Sequence, residues 1–264
     1  MTPTIGDVQL LPPEPDPGGD TKDRPHVLLT HARTPSETLT FAYATTQQTD
    51  AAPVPLRPGA APPAPAPHVV VDPQRPGTAT TSFRHRSYVL LNRLFSVGPE
   101  GQGPRIGRVV DELTAMRAGL PGALGIGTGG GPVGAPPGSK RGLVVEFHRH
   151  VTDLNGARLG VVVMDPAFSA RARIVTVVPL YDAAVFEPLA GEVTFAVAGG
   201  DEWLRALGMA HAFAAVGDIF GAWWQTRVSR PLPAYLPDDA MRRVDVALCA
   251  HFDLPASVPR AQPV

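Results

Sequence analysis

The chain has 264 residues, enough for two small domains, and 44% of them are apolar, enough for packed cores. Its 23 basic and 24 acidic residues leave a net charge of −1, so whole-chain charge gives no support for nucleic-acid binding, and any such function must rest on a local patch. A single cysteine excludes an intramolecular disulfide and suits a reducing, cytoplasmic setting.

The opening residues, Met1 to Asp7, have neither the basic nor the apolar region of a signal peptide, and no apolar run reaches membrane-spanning length. Gly6-Asp7-Val8 opens a first strand. Val27 to Leu29, Leu39 to Ala44, His68 to Val71 and Tyr88 to Leu91 are further short β-prone runs between turn residues. The stretch 51–67 is almost all Pro and Ala and reads as a solvated polyproline-like insertion. Val109, Leu113, Met116 and Leu120 recur at helical spacing, and Pro121-Gly122 is expected to stop that helix.

Residues 125–141 are rich in Gly and Pro. A phosphate-cradling loop needs a strand before it and a helix after it, whereas here a helix precedes and prolines follow, so the stretch reads as a linker. Beyond it the order repeats. Leu143 to Val145, Gly160 to Val163, Ile174 to Val178 and Glu192 to Val197 read as strands, and a helix follows with Met241, Val244 and Leu248 on one face. Cys249 lies in that helix and reads as a core residue. Laid over the first half without a gap, Arg158 falls on Arg24, Val161 on Val27, Val175 on Phe41 and Pro179 on Thr45. Few letters match, yet the shared order of elements points to a diverged duplication. The expected organisation is 1–124, a linker 125–141, and 142–264.

One family fits the first half. The Gly6-Asp7 start, Arg24-Pro25 leading a strand, Thr45-Thr46-Gln47 ending one, and Ser87 to Val97 before Ile106-Gly107-Arg108 and the helix together resemble the MazF/PemK toxins over about residues 5–124. The resemblance implies a mainly β fold with α: two tandem SH3-like barrels, each ending in a helix and packed as an intramolecular pseudo-dimer. It implies metal-independent cleavage of single-stranded RNA, no cofactor, a small antitoxin protein as partner, and a chain that is a monomer in solution. By the same resemblance Arg24 stabilises the phosphorane-like transition state and Thr45 positions the attacking 2′-hydroxyl. Thr46, Gln47, Arg84, Arg86, Asn92 and Arg93 are the candidate RNA contacts.

The chemistry suits these residue types. Arginine stays charged at every relevant pH and grips two phosphate oxygens at once. A threonine hydroxyl is a poor base but a good hydrogen-bond partner. A bland reading stands beside this one: an arginine before a strand is ordinarily a surface charge, and threonines end strands for their β propensity. Arg75, Arg84, Arg86, Arg93, Arg105 and Arg108 face only Glu100 over their stretch, with His85 and Tyr88 as possible stacking partners. The sequence also departs from the family. Some members carry an acid where Asn92 stands and an arginine where Leu90 stands, so the rival reading is a degenerate module that binds RNA or protein, or poisons a topoisomerase, without cutting RNA.

Two further features invite a reading. Glu146, His148 and His150 alternate and could face a metal from one strand, but Arg149 between them favours a wet strand face. Trp223 and Trp224 are adjacent, so on a strand one is core and the other is a candidate for the interface between the halves.

Overall fold

The computed structural model describes residues 3–12, 22–31, 38–46, 68–81, 83–128, 138–148, 156–170, 172, 174–224 and 227–255. The proline-rich stretch 51–67, Gln47, His150 and residues 129–137 of the linker lie outside them. The chain divides into two compact units, Met1–Ala123 and Leu124–Val264, each built mainly of antiparallel strands with few helices.

In unit 1 the strands are β1 (Asp7–Leu11), β2 (Arg24–Leu28), β3 (Leu39–Thr45), β4 (His68–Val71), β5 (Ser87–Val97) and β6 (Arg105–Arg108). They lie in the order β6-β1-β2-β3-β5-β4, each neighbouring pair antiparallel. No ladder joins β4 to β6 among the described residues; one backbone bond, Thr81 N to Arg108 O at 3.0 Å, ties the segment after β4 to β6. Helix α1 (Leu113–Leu124) packs on one face through Met116 and Leu120, so tightly that a Cβ on Gly119 would stand 2.7 Å from Leu91 Cδ1. Alternation sends Val8, Val27, Ala42, Ala44 and Val89 to that face, all fully or almost fully buried.

The other face of unit 1 changes character along the strands. At the Leu28 end, Leu28, Leu39, Phe41 and Val97 form an apolar cluster with Phe95 against it, and Leu11, which pairs with Arg24, joins that cluster. At the Arg24 end the same alternation presents Gln9, Arg24, His26, Tyr43 and Thr45. Burial of each large apolar side chain contributes roughly 1.5–3 kcal/mol, so the apolar end anchors the sheet and the polar end must be justified otherwise.

Unit 2 contains β7 (Leu143–Phe147), β8 (Leu159–Val162), β9 (Ile174–Asp182), β10 (Val193–Ala196), β11 (His211–Ala214), β12 (Phe220–Trp223) and β13 (Val228–Tyr235), a helical turn α2 (Pro166–Ser169), and helix α3 (Asp238–His251). The order is β13-β7-β8-β9; β12 and β11 share the far side of β9, and β10 pairs with β11. The first three strands and the pairing of the first with the last repeat the arrangement of unit 1. A glycine with positive φ starts each unit's first strand: Gly6 at +88° and Gly142 at +75°. Gly6 N donates to Leu28 O at 2.9 Å and Gly142 N to Val162 O at 2.8 Å. Their carbonyls accept from Val109 N and Leu236 N, each at 2.8 Å. Only glycine suits this knot: a Cβ on Gly6 would meet Val109 O at 2.3 Å.

Two expectations are corrected by these elements. Helix α1 runs through Pro121 to Leu124 rather than stopping there, because Leu120, Ala123 and Leu124 continue its buried face; Gly125, at φ +63°, ends it. The gapless overlay also slips. Val27 pairs with Ala42 in unit 1 and Val161 with Val178 in unit 2, so Ala42 corresponds to Val178, two residues beyond the gapless match. Pro179 therefore corresponds to Tyr43, and Tyr181 takes the place of Thr45.

The expectation for Cys249 stands: it is buried in α3, and burial pushes its thiol pKa up. Trp224 packs against unit 2's own apolar cluster, with Lys140 Nζ 4.9 Å from its ring centre.

Candidate functional site

The polar end of unit 1 is assembled by strand register. β1 and β2 pair Gln9 with His26 and Leu11 with Arg24; β2 and β3 pair His26 with Tyr43. Carried two residues further, the latter register sets Arg24 across from Thr45, on one face of adjacent strands. β5 continues both rows, with Leu90 beside Tyr43 and Tyr88 beside Thr45.

Arg24 is half-buried at the start of β2, and Thr45 is buried at the end of β3. Thr46 is exposed, and Gln47 lies outside the described residues. Arg84 and Arg86 are exposed on the segment leading into β5, at the end where Tyr88 meets Thr45. Asn92 and Arg93 are half-buried in the irregular stretch of β5 where its register with β3 shifts. Arg93 lies over Tyr43, its guanidinium carbon 3.9 Å from the ring centre. Register thus brings Arg24 and Thr45 together, and Tyr43 brings Arg93 to the same face.

His26 joins these groups. It is 1% exposed, its Nδ1 is 2.9 Å from Arg24 O, and its ring meets Tyr43 edge-on at 5.4 Å. Burial, reinforced by the nearby Arg93 cation and opposed by the bond to Arg24 O, pushes its pKa down to about 4. The imidazole is therefore neutral near pH 7. Because a carbonyl can only accept, Nδ1 carries the proton and Nε2 presents a lone pair. The sequence reading assigned His26 and Gln9 no role. The usable signal was spacing: His26 lies two residues from Arg24 and so shares its face once β2 is recognised.

Other charges of the expected basic patch have structural uses. Asp7 is buried, and its Oδ1 lies 3.1 Å from Arg105 Nε while its Oδ2 accepts from Thr4 N at 2.9 Å. The Gly6-Asp7 pair is thus a turn that neutralises Arg105. Arg108 Nη2 donates to Ile5 O at 3.4 Å.

In unit 2 the row that corresponds to Gln9, His26 and Tyr43 is apolar. Val145, Gly160 and Pro179 occupy the places of Gln9, His26 and Tyr43. A Cβ on Gly160 would stand 2.7 Å from Phe147 Cζ, so the Phe147 ring fills the space above it. Arg158 is exposed, and Tyr181, at the Thr45 position, stacks on Phe213 at 5.3 Å with its hydroxyl 3.4 Å from Asp218 Oδ2. Glu146 pairs with Arg230 at 2.6 Å rather than waiting for a metal, and no metal-ligating cluster occurs among the described residues. A cavity of about 440 Å³ in this unit is lined by Phe195, Asp201, His211 and Arg243. Its cation is already engaged: Arg243 bonds Asp201 and lies 4.7 Å over the Phe195 ring.

No helix among the described residues is long and apolar enough to cross a membrane. No protein-family model matches the chain, and no curated protein matches it. Among solved structures it is similar to the Mycobacterium tuberculosis toxin MazF-mt6, at 19% identity over 44% of this chain and 92% of that chain, with a TM-score of 0.28. A likeness of that strength assigns no residue a role, and the functional reading rests on the residues of unit 1 themselves.

Proposed function

We propose that unit 1 is a metal-independent endoribonuclease of the toxin type, acting on single-stranded RNA with Arg24 and Thr45. The observation that carries this is the register of β2 with β3, which pairs His26 with Tyr43 and, carried two residues further, sets the arginine across from the threonine, with Arg93 drawn to the same face by Tyr43. In this reading Arg24 binds the scissile phosphate and stabilises the charge that develops as the 2′-oxygen attacks phosphorus. Thr45 orients the attacking hydroxyl. The phosphorus–5′-oxygen bond breaks, leaving a 2′,3′-cyclic phosphate and a 5′-hydroxyl; the 2′-hydroxyl proton leaves to water and the 5′-oxygen takes one from water. Thr46, Arg84, Arg86 and Asn92 line the path of the strand, and Gln47 is a further candidate contact by the family resemblance. The matching glycine knots and strand pairings support a wider proposal. The units are diverged copies of one SH3-like barrel with a C-terminal helix, paired within one cytoplasmic chain as a pseudo-dimer, and a small antitoxin protein silences it.

A second reading has its own observation. Asn92 cannot act as a base, and a histidine held to about pKa 4 is a weak one at pH 7. A module that grips RNA or a protein without cutting it fits those facts. Incubation of purified protein with single-stranded RNA in EDTA separates the two. Fragments ending in 2′,3′-cyclic phosphate support the nuclease; intact RNA that nevertheless shifts in a gel supports the binder; neither result leaves room for an RNA function.

A further inference from the structure

Gln9 and His26 are directly opposed on β1 and β2, so their side chains leave the same face with Cβ atoms about 5 Å apart. Both are buried, at 4% and 1% exposure. Gln9 Oε1 and His26 Nε2 have no hydrogen-bond partner among the described residues. Each is an acceptor: the amide oxygen by nature, the imidazole nitrogen because Nδ1 holds the proton against Arg24 O. Two buried acceptors side by side are unfavourable unless something donates to both.

The fold does not require them. The equivalent row of unit 2, Val145, Gly160 and Pro179, keeps the same strand pairing with no polar side chain at all. Resting on the RNA reading above, we propose that Gln9 Oε1 and His26 Nε2 form a two-acceptor notch for the exocyclic amino group of a nucleobase, so that the site prefers cytosine over uracil.

The chemistry selects that ligand. An amino group carries two N–H donors on one nitrogen and can satisfy both acceptors together. A 2′-hydroxyl has one donor and leaves an acceptor unpaired. An ammonium has donors enough, but Arg24 and Arg93 on the same face oppose a third cation. Uracil places a carbonyl oxygen where cytosine has its amine, so it would set a lone pair against two lone pairs. The Arg93 guanidinium, already lying on Tyr43, offers a flat surface on which a base can stack.

The test uses the full chain in EDTA and uncleavable 2′-O-methyl decamers, with binding read by fluorescence anisotropy. Wild type is expected to bind oligo(C) on the order of 10-fold more tightly than oligo(U), the discrimination a good pair of base contacts supplies. His26→Phe and Gln9→Leu should each pull oligo(C) toward the oligo(U) value and leave oligo(U) unchanged. A decamer of 2-pyrimidinone, which is cytosine without its amine, should behave like oligo(U) toward the wild type, with no variant needed. Equal binding of oligo(C) and oligo(U) by wild type overturns the notch, as does a variant that weakens both alike. Failure of wild type to bind either oligomer, or any RNA, overturns the RNA reading itself.

Discussion

The two units run the same strand pairings and close the same glycine knot, yet they fill one cross-strand row in opposite ways. Unit 1 carries Gln9, His26 and Tyr43 with Arg93 above, and unit 2 carries Val145, Gly160 and Pro179 beneath Phe147. A scaffold that stands with an apolar row does not need a polar one. The polar row is therefore the place to look for chemistry, whereas features common to both units are the place to look for folding.

Unit 2 keeps its own buried charge, and that charge is structural. Arg141 is 1% exposed, pairs with Asp245 at 2.5 Å and donates to Leu124 O, while Asp245 Oδ2 accepts from Gly127 N at 2.9 Å. The pair thus fixes the start of unit 2, from Leu124 to Gly127. Arg141→Ala strands a buried carboxylate and should cost about 3–5 kcal/mol in denaturant unfolding of unit 2. It should leave any RNA activity of the surviving fold intact. A cost below about 1 kcal/mol would mean that the pair is hydrated.

The His26 difference gives the next effect. Its folded pKa, about 4, lies below the ordinary 6.5, so the unfolded chain binds the proton more readily. The folded state is then fully favoured above pH 6.5 and loses stability as pH falls toward 4. The loss from this group approaches about 3 kcal/mol. Asp245, which is buried, and Asp165 and Asp218, which are half-buried, have raised pKa values and act in the opposite sense. The measurement is therefore the difference between wild type and His26→Phe from pH 7 to 4; parallel curves would show His26 to be solvated.

The shared knot predicts matching losses. Gly6→Ala and Gly142→Ala each force a side chain onto a positive φ and should cost roughly 1–3 kcal/mol, with Gly6 the worse because of Val109 O. Thermal melts of the two variants check this, and a neutral result at either site would show that the knots are not equivalent.

Much of the β framework was legible because short β-branched runs between turn residues have few other uses. Leu39 to Ala44 and His68 to Val71 fell close to the observed strands. Pro121 was misread because a local rule, that proline ends helices, met a buried face that continued past it. The overlay of the halves failed by two residues between the second and third strands. Loop length is not fixed by strand pattern, and only the register of β8 with β9 reveals the offset. Arg24 and Thr45 could be named from motif order, but that they stand across from each other is a property of pairing, not of spacing. His26 and Gln9 were invisible for the same reason: neither is unusual alone, and only register makes them neighbours.

The claim that chemistry belongs to unit 1 alone is tested most directly by two variants at corresponding positions. In a metal-free RNA cleavage assay, Arg24→Ala should lose on the order of 10²-fold or more in rate, the scale of a missing transition-state donor. Arg158→Ala, which removes the exposed arginine just before β8, should cleave like wild type. Full activity in Arg24→Ala, or an equal loss in Arg158→Ala, would contradict the assignment.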